Sequence, residues 1–269
     1  MHARELGDGP PVVLLHGYGV SGTYMLPLAR QLAGDYRVLV PELPGQGASE
    51  PRPGLRSVPE LADAFAAWLD AAELDRPAAV ANSLGCQIVT ELAAREPERL
   101  GPLVLVGPTV DPARRGGRHQ LFAALRDSAQ EPLQLVAIAA ADDLGVGLRR
   151  LVATARAALD DRIEDRLALV QQPTVVVRGG ADPFVGADWA ERVASLLPDG
   201  RLVVVPGEPH AVHFTRPDVV ARVVREFLLE ESGDLVGDRG RLLQHRHVAA
   251  RQQLQPRVGN EALPLLGDP

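Results

Sequence analysis

Short aliphatic runs alternate with longer amphipathic stretches along most of this chain. The runs are V-V-L-L at 12–15, V-L-V at 38–40, A-A-V-A at 78–81, L-V-L-V at 103–106, T-V-V-V at 174–177 and L-V-V-V at 202–205. Each is short, rich in Val and Leu and without polar alternation, as strands read when crossover helices cover both faces. Helical spacing occupies 58–71, 87–95, 188–197 and 219–229. Strand and helix in alternation predict an α/β fold, with a mostly parallel central sheet and helices on both faces.

One interval breaks this rhythm. Between the runs at 103–106 and 174–177 no strand-like segment occurs, and helical patterns appear at 120–129, 133–140 and 147–159. A structureless loop of that length does not suit a compact domain, so a helical cap over 109–167 is expected, with the core formed by 1–108 and 168–231. The segment 232–269 mixes Gly, Gln, Arg and Pro with sparse apolar pairs. It reads as a poorly ordered tail, with a docked helix over 239–255 as the alternative.

Composition narrows the function classes. With 35 acidic against 28 basic residues the formal charge is −7, so nucleic acid is not an expected partner, because phosphate binding needs a basic face. Cys86 is the single cysteine, which rules out an internal disulfide and fits a reducing compartment. The N-terminus lacks the apolar stretch of a signal peptide, and no apolar run approaches the roughly 20 residues of a membrane helix. The expectation is a cytoplasmic protein with no membrane partner, acting on a small molecule, with self-association left open. No His, Asp and Cys cluster has metal-ligand spacing, and no cofactor is expected.

The candidate chemistry begins at A-N-S-L-G, 81–85, between an aliphatic run and a helical stretch. A nucleophile elbow needs that context, a tight strand-to-helix turn that lifts one hydroxyl above the sheet. Ala81 and Gly85 are small enough for strand and helix to approach; alone, the pentapeptide is also an ordinary turn serine. H-G-Y-G at 16–19 follows the first run, and its glycines can turn a backbone N–H toward a reaction centre. The backbone amides of Tyr18 and Leu84 are the candidate oxyanion donors; the plain alternative is a glycine turn with a structural His16. P-E-L-P-G-Q-G-A-S at 41–49, R-G-G-A-D-P-F-V at 178–185 and P-G-E-P-H-A-V-H at 206–213 each follow a strand-like run.

These motifs, in this order and spanning about 12 to 217, resemble the α/β-hydrolase superfamily, in its compact, cap-bearing branch of serine esterases and C–C bond hydrolases. The resemblance implies a Ser83–Asp182–His210 triad, in the chain order of that superfamily. His210 would take the Ser83 proton as base, and Asp182 would hold its tautomer. His213 and Asp111 are rivals for the base and the acid. Cys86, in the first turn of the elbow helix, reads as a packing residue. The sequence departs from the family pattern at Ala81 and Cys86, where many relatives carry Gly. The N-terminus is also short: only 2–6 could serve as a preceding strand, so a first antiparallel strand is expected to be missing.

The resulting expectation is a carboxylic ester hydrolase, acting on esters, thioesters or lactones through an acyl-enzyme. Asn82 resembles the N-S-x-G of C–C bond hydrolases acting on ring-cleavage dienoic acids, which use a cap arginine; Arg149, Arg150 and Arg156 are available, though each equally suits a solvated face. A non-catalytic ligand-binding protein on the same fold is the reading of a different class. Pocket candidates are His16, Gly17, Tyr24, Asn82, Phe122, Phe184 and Phe214. Phe122 is the only Phe, Tyr or Trp between 109 and 172, so an aliphatic roof is expected from Leu121, Phe122, Leu125, Leu133, Leu135, Val136, Leu148 and Leu151.

Overall fold

A computed structural model of the protein describes residues 1–51, 57–128, 130 and 148–233, without the side chains of 128 and 148–151. Among the described residues seven strands form one sheet: β1 (Ala3–Leu6), β2 (Pro11–Leu15), β3 (Arg37–Pro41), β4 (Ala78–Asn82), β5 (Leu103–Val106), β6 (Thr174–Gly179) and β7 (Gly200–Val205), in the order β1-β3-β2-β4-β5-β6-β7. Only β1 runs antiparallel, pairing Ala3 with Pro41 and Leu6 with Val38. The short N-terminal segment therefore supplies an edge strand.

The α-helices among the described residues are α1 (Leu26–Leu32), α2 (Val58–Ala71), α3 (Leu84–Arg95), α4 (Gly117–Ser128), α5 (Leu148–Asp160), α6 (Ala187–Leu196), α7 (Val212–Thr215) and α8 (Pro217–Ser232). Their ends carry sequence logic. Ser57 caps α2 by accepting from the Glu60 N–H, with Pro59 in the first turn.

Side chains alternate across the sheet. Val13, Leu15, Ala79, Ala81, Leu103, Leu105 and Val176 join the cluster covered by α2, α3 and α6. Val12, Leu14, Val80, Val104, Val106, Val175 and Val177 join the cluster under α1 and α8. This period of two, apolar on both faces, is why the strands read as unbroken aliphatic runs. Large members such as Leu14, Leu28 and Phe65 are wholly buried, and each contributes about 1.5–3 kcal/mol by leaving water. β7 departs from expectation: its run is as aliphatic as the others, yet Val204 is exposed, because an edge strand is covered less completely.

The insertion lies between β5 and β6. Helices stand at Gly117–Ser128 and Leu148–Asp160, where the spacing predicts 120–129 and 147–159; the expected helix at 133–140 lies outside the described residues. Residues Met1–Ser232 form one compact unit, and the expected tail, from 234 onward, also lies outside them. No described helix is long and apolar enough to cross a membrane.

Candidate active site

The loops that leave β4, β5, β6 and β7 carry Ser83, Gly107, Asp182 and His210, and these four strands are consecutive neighbours in the sheet. Parallel strands end on the same edge, so residues far apart in sequence meet there.

Ser83 occupies φ 54°, ψ −118°, a conformation that costs a non-glycine residue on the order of 1–3 kcal/mol. It stands at the N-cap of α3, yet its hydroxyl caps nothing; the turn holds it away from the helix. Gly85 is obligatory here, since a Cβ would lie 2.7 Å from the Leu15 carbonyl oxygen and 2.8 Å from that of His16. Ala81, by contrast, is wholly buried in the core with its methyl accommodated. Ser83 Oγ lies 3.3 Å from Thr109 Oγ1, within hydrogen-bond distance. Leu84 opens α3, where a helix leaves its first N–H groups without internal partners. Gly17 abuts the serine: a Cβ there would sit 3.0 Å from Ser83 Cβ. Tyr18 follows with its side chain exposed.

Asp182 and His210 form a buried pair, His210 Nδ1 to Asp182 Oδ2 at 2.8 Å. The second carboxylate oxygen, Oδ1, accepts from the N–H groups of Phe184 (2.8 Å) and Val185 (3.0 Å). The Asp182 side chain is inaccessible to solvent, so these bonds offset its desolvation. Gly107, at φ +58°, lies against the pair: a Cβ would fall 2.8 Å from His210 Cε1 and 2.9 Å from Nδ1. Its neighbour Val106 accepts the Ser83 N–H at 3.1 Å, so serine and imidazole share the end of β5. Phe184 packs on His210 with ring centroids 4.8 Å apart.

The rivals are otherwise engaged. Asp111 caps Ala113 N at 2.9 Å and faces Arg114 Nε at 3.3 Å. His213 is wholly buried, with neither ring nitrogen hydrogen-bonded among the described residues, and burial pushes its pKa down to about 3, with His210 as a lesser cause. Cys86 donates to the Ala81 carbonyl at 3.2 Å, and desolvation pushes its thiol far up, as a packing residue requires.

Four pocket candidates are engaged within the scaffold. His16 Nε2 accepts the Leu43 N–H at 3.0 Å, which makes Nδ1 the protonated nitrogen facing the Gly17 carbonyl at 2.9 Å. It ties the Gly17 loop to the one after β3. Tyr24 is buried in the core, edge-on to His213 at 4.4 Å and stacked on Phe214 at 6.1 Å. Phe214 packs against that same cluster. Asn82 is likewise buried, donating to the Val106 carbonyl at 3.1 Å. Phe122, 66% exposed, lines a hollow beside Asp182. Of the expected roof, Leu121 and Leu125 are exposed. Leu133, Leu135, Val136 and the side chains of Leu148 and Leu151 lie outside the described residues, as do those of Arg149 and Arg150; Arg156 is exposed.

Sequence reasoning missed Gly107, Thr109 and Asp127. The first two carried a signal, a glycine and a hydroxyl directly after an aliphatic run. Asp127 carried none: its Oδ1 accepts the backbone N–H of His210 at 3.1 Å, from a helix of the insertion.

A model of the Alpha/beta hydrolase family matches residues 12–223. The pimeloyl-[acyl-carrier protein] methyl ester esterase of Aeromonas salmonicida is 30% identical over 252 residues, covering 84% of this chain and 98% of the relative. The 2-hydroxy-6-oxononadienedioate/2-hydroxy-6-oxononatrienedioate hydrolase 2 of Pseudomonas putida is 30% identical over 261 residues, covering 85% and 91%. Among solved structures, a thermophilic esterase from Thermogutta terrifontis superposes with a TM-score of 0.73 at 22% identity, over 85% of this chain and 93% of that one.

Proposed function

The chain belongs to the α/β-hydrolase family, and we propose that it is a serine hydrolase of small-molecule esters or thioesters that forms an acyl-enzyme on Ser83. The observation that carries this reading is the buried 2.8 Å contact between His210 Nδ1 and Asp182 Oδ2, seated on Gly107 at the strand end that also binds the Ser83 N–H. With Nδ1 committed to the carboxylate, Nε2 is the nitrogen for proton transfer.

Rotation about the Ser83 Cα–Cβ bond presents the hydroxyl to His210, an alignment expected when substrate arrives. Oγ then attacks the acyl carbon while His210 takes its proton. The carbonyl π electrons move to oxygen, where the Tyr18 and Leu84 amides would stabilise them. Collapse of that intermediate expels the alcohol or thiol, which receives the proton from His210. Water repeats the sequence on the acyl-enzyme and restores Ser83.

A C–C bond cleavage reading finds less support in the residue that suggested it. The Asn82 amide is buried and braces β5, so it serves the elbow whatever bond is cut. The experiment is labelling with a fluorophosphonate, followed by peptide mapping and by turnover of aryl esters of graded acyl length beside a ring-cleavage dienoic acid. An adduct on Ser83 with ester turnover is expected. An adduct elsewhere, or labelling without turnover of any substrate, overturns the reading and favours a binding protein.

A further inference from the structure

We propose that the hollow between α4 and the loop following β6 is a binding site for an oxyanion, a carboxylate or phosphate group, held by Arg178 and Arg126. The hollow is about 420 Å³, within the size range of small-ligand sites. One wall is a single face of α4, with His119, Phe122, Ala123 and Arg126 at i, i+3, i+4 and i+7. The other is formed by Arg178, Gly180 to Pro183 and the start of α6.

Arg178 is the unusual element. It extends from β6 and is only 8% exposed, a degree of burial that guanidinium groups rarely show without an acid. Its Nε donates to the Val185 carbonyl at 2.6 Å, and no carboxylate among the described residues pairs with it. One carbonyl engages one of five donors, and Arg178 is among the residues that line the hollow. A guanidinium enclosed this far, with no acid beside it among the described residues, gains from an anion placed in the hollow.

The surroundings reinforce the sign. Arg126 approaches from α4 and makes no ion pair among the described residues. Arg114 is partly offset by Asp111 at 3.3 Å, and its guanidinium lies on Gly186, where a Cβ would come 3.0 Å from Nη2. Gly186 precedes α6 without a side-chain cap, so the positive end of that helix adjoins the site. The sole carboxylate in the walls is Asp182, whose two oxygens are taken by His210 and by the Phe184 and Val185 amides. Phe122 supplies an apolar margin for the carbon skeleton bearing the anion.

Titration calorimetry of the full chain with inorganic phosphate and with succinate tests this without turnover, so its outcome is independent of the hydrolase reading. Saturable binding of at least one anion is expected, weakening as sodium chloride rises. Arg126→Gln, at an exposed position, should weaken it about tenfold, the scale of one charge-assisted bond; Arg178→Gln should abolish it, while Ser83→Ala should leave it unchanged. Arg178 also pins the Val185 carbonyl, so near-ultraviolet circular dichroism must show a native Arg178→Gln; if that variant unfolds, Arg126→Gln decides. Absence of saturable heat with either anion, or unaltered affinity in Arg126→Gln, overturns the proposal.

Discussion

The carboxylate of Asp127 accepts the backbone N–H of His210 at 3.1 Å, across 83 positions of sequence. Asp127 is buried near the end of α4, and His210 lies in the loop after β7. The bond joins the insertion between β5 and β6 directly to the backbone of the proposed base.

Asp127 is thus a positioning residue. Asp127→Ala removes this acceptor of the His210 amide, a loss of about 1–3 kcal/mol, and should lower kcat about tenfold or more with little change in KM. Asp127→Asn keeps an acceptor oxygen and should recover most of that rate. Steady-state kinetics on an aryl ester would read both; equal activity in all three proteins would remove the positioning role.

Asp182→Asn should fold and reduce kcat by about four orders of magnitude, because an amide can no longer enforce the tautomer with Nδ1 protonated. Ser83→Ala should lose several orders of magnitude with an unchanged melting temperature. A double variant no slower than Ser83→Ala alone is the signature of groups acting as one unit, and rates that multiplied would argue against it.

Gly107→Ala tests the seat of the imidazole. The added methyl would meet His210 Cε1 at 2.8 Å on a backbone at φ +58°, so the ring or the strand end must shift. A shift of about 1 Å at a catalytic group costs on the order of a hundredfold in rate. Turnover close to wild type would show that the loop after β7 yields without consequence.

His213 should make the fold acid-sensitive. Its folded pKa of about 3 lies below the ordinary 6.5, so the unfolded chain binds the proton more readily and stability falls as pH falls between those values. Between those values the stability attributable to this group falls by about 1.4 kcal/mol per pH unit; the loss is complete below about pH 3 and absent above about 6.5. His213→Phe keeps an aromatic ring against Tyr24 and should flatten the curve in that window. Urea denaturation at a series of pH values measures it, and parallel curves for the two proteins would contradict the assignment.

Cys86 should resist alkylation in the native state at neutral pH and react once the chain is unfolded, since burial and the Ala81 carbonyl hold it as a thiol. Rapid native labelling by iodoacetamide, followed by mass spectrometry, would show that α3 opens.

Much of the architecture was legible because its causes are local. A strand covered on both faces must be apolar at successive positions, so V-V-L-L, L-V-L-V and T-V-V-V announced β2, β5 and β6. Small residues around Ser83 and the turn residues before Asp182 and His210 announced the loops, since tight turns demand them wherever they occur. What the sequence could not rank is which side chains those loops bring together. His16 and Tyr24 stand beside the right motifs, yet one braces two loops and the other packs on His213, because their direction depends on which strands lie adjacent. Gly107, Asp127 and Arg178 acquire their roles only when β5, α4 and β6 converge at one sheet edge. A hydrogen bond spanning 83 positions leaves no periodicity in the chain; only the packed fold decides it.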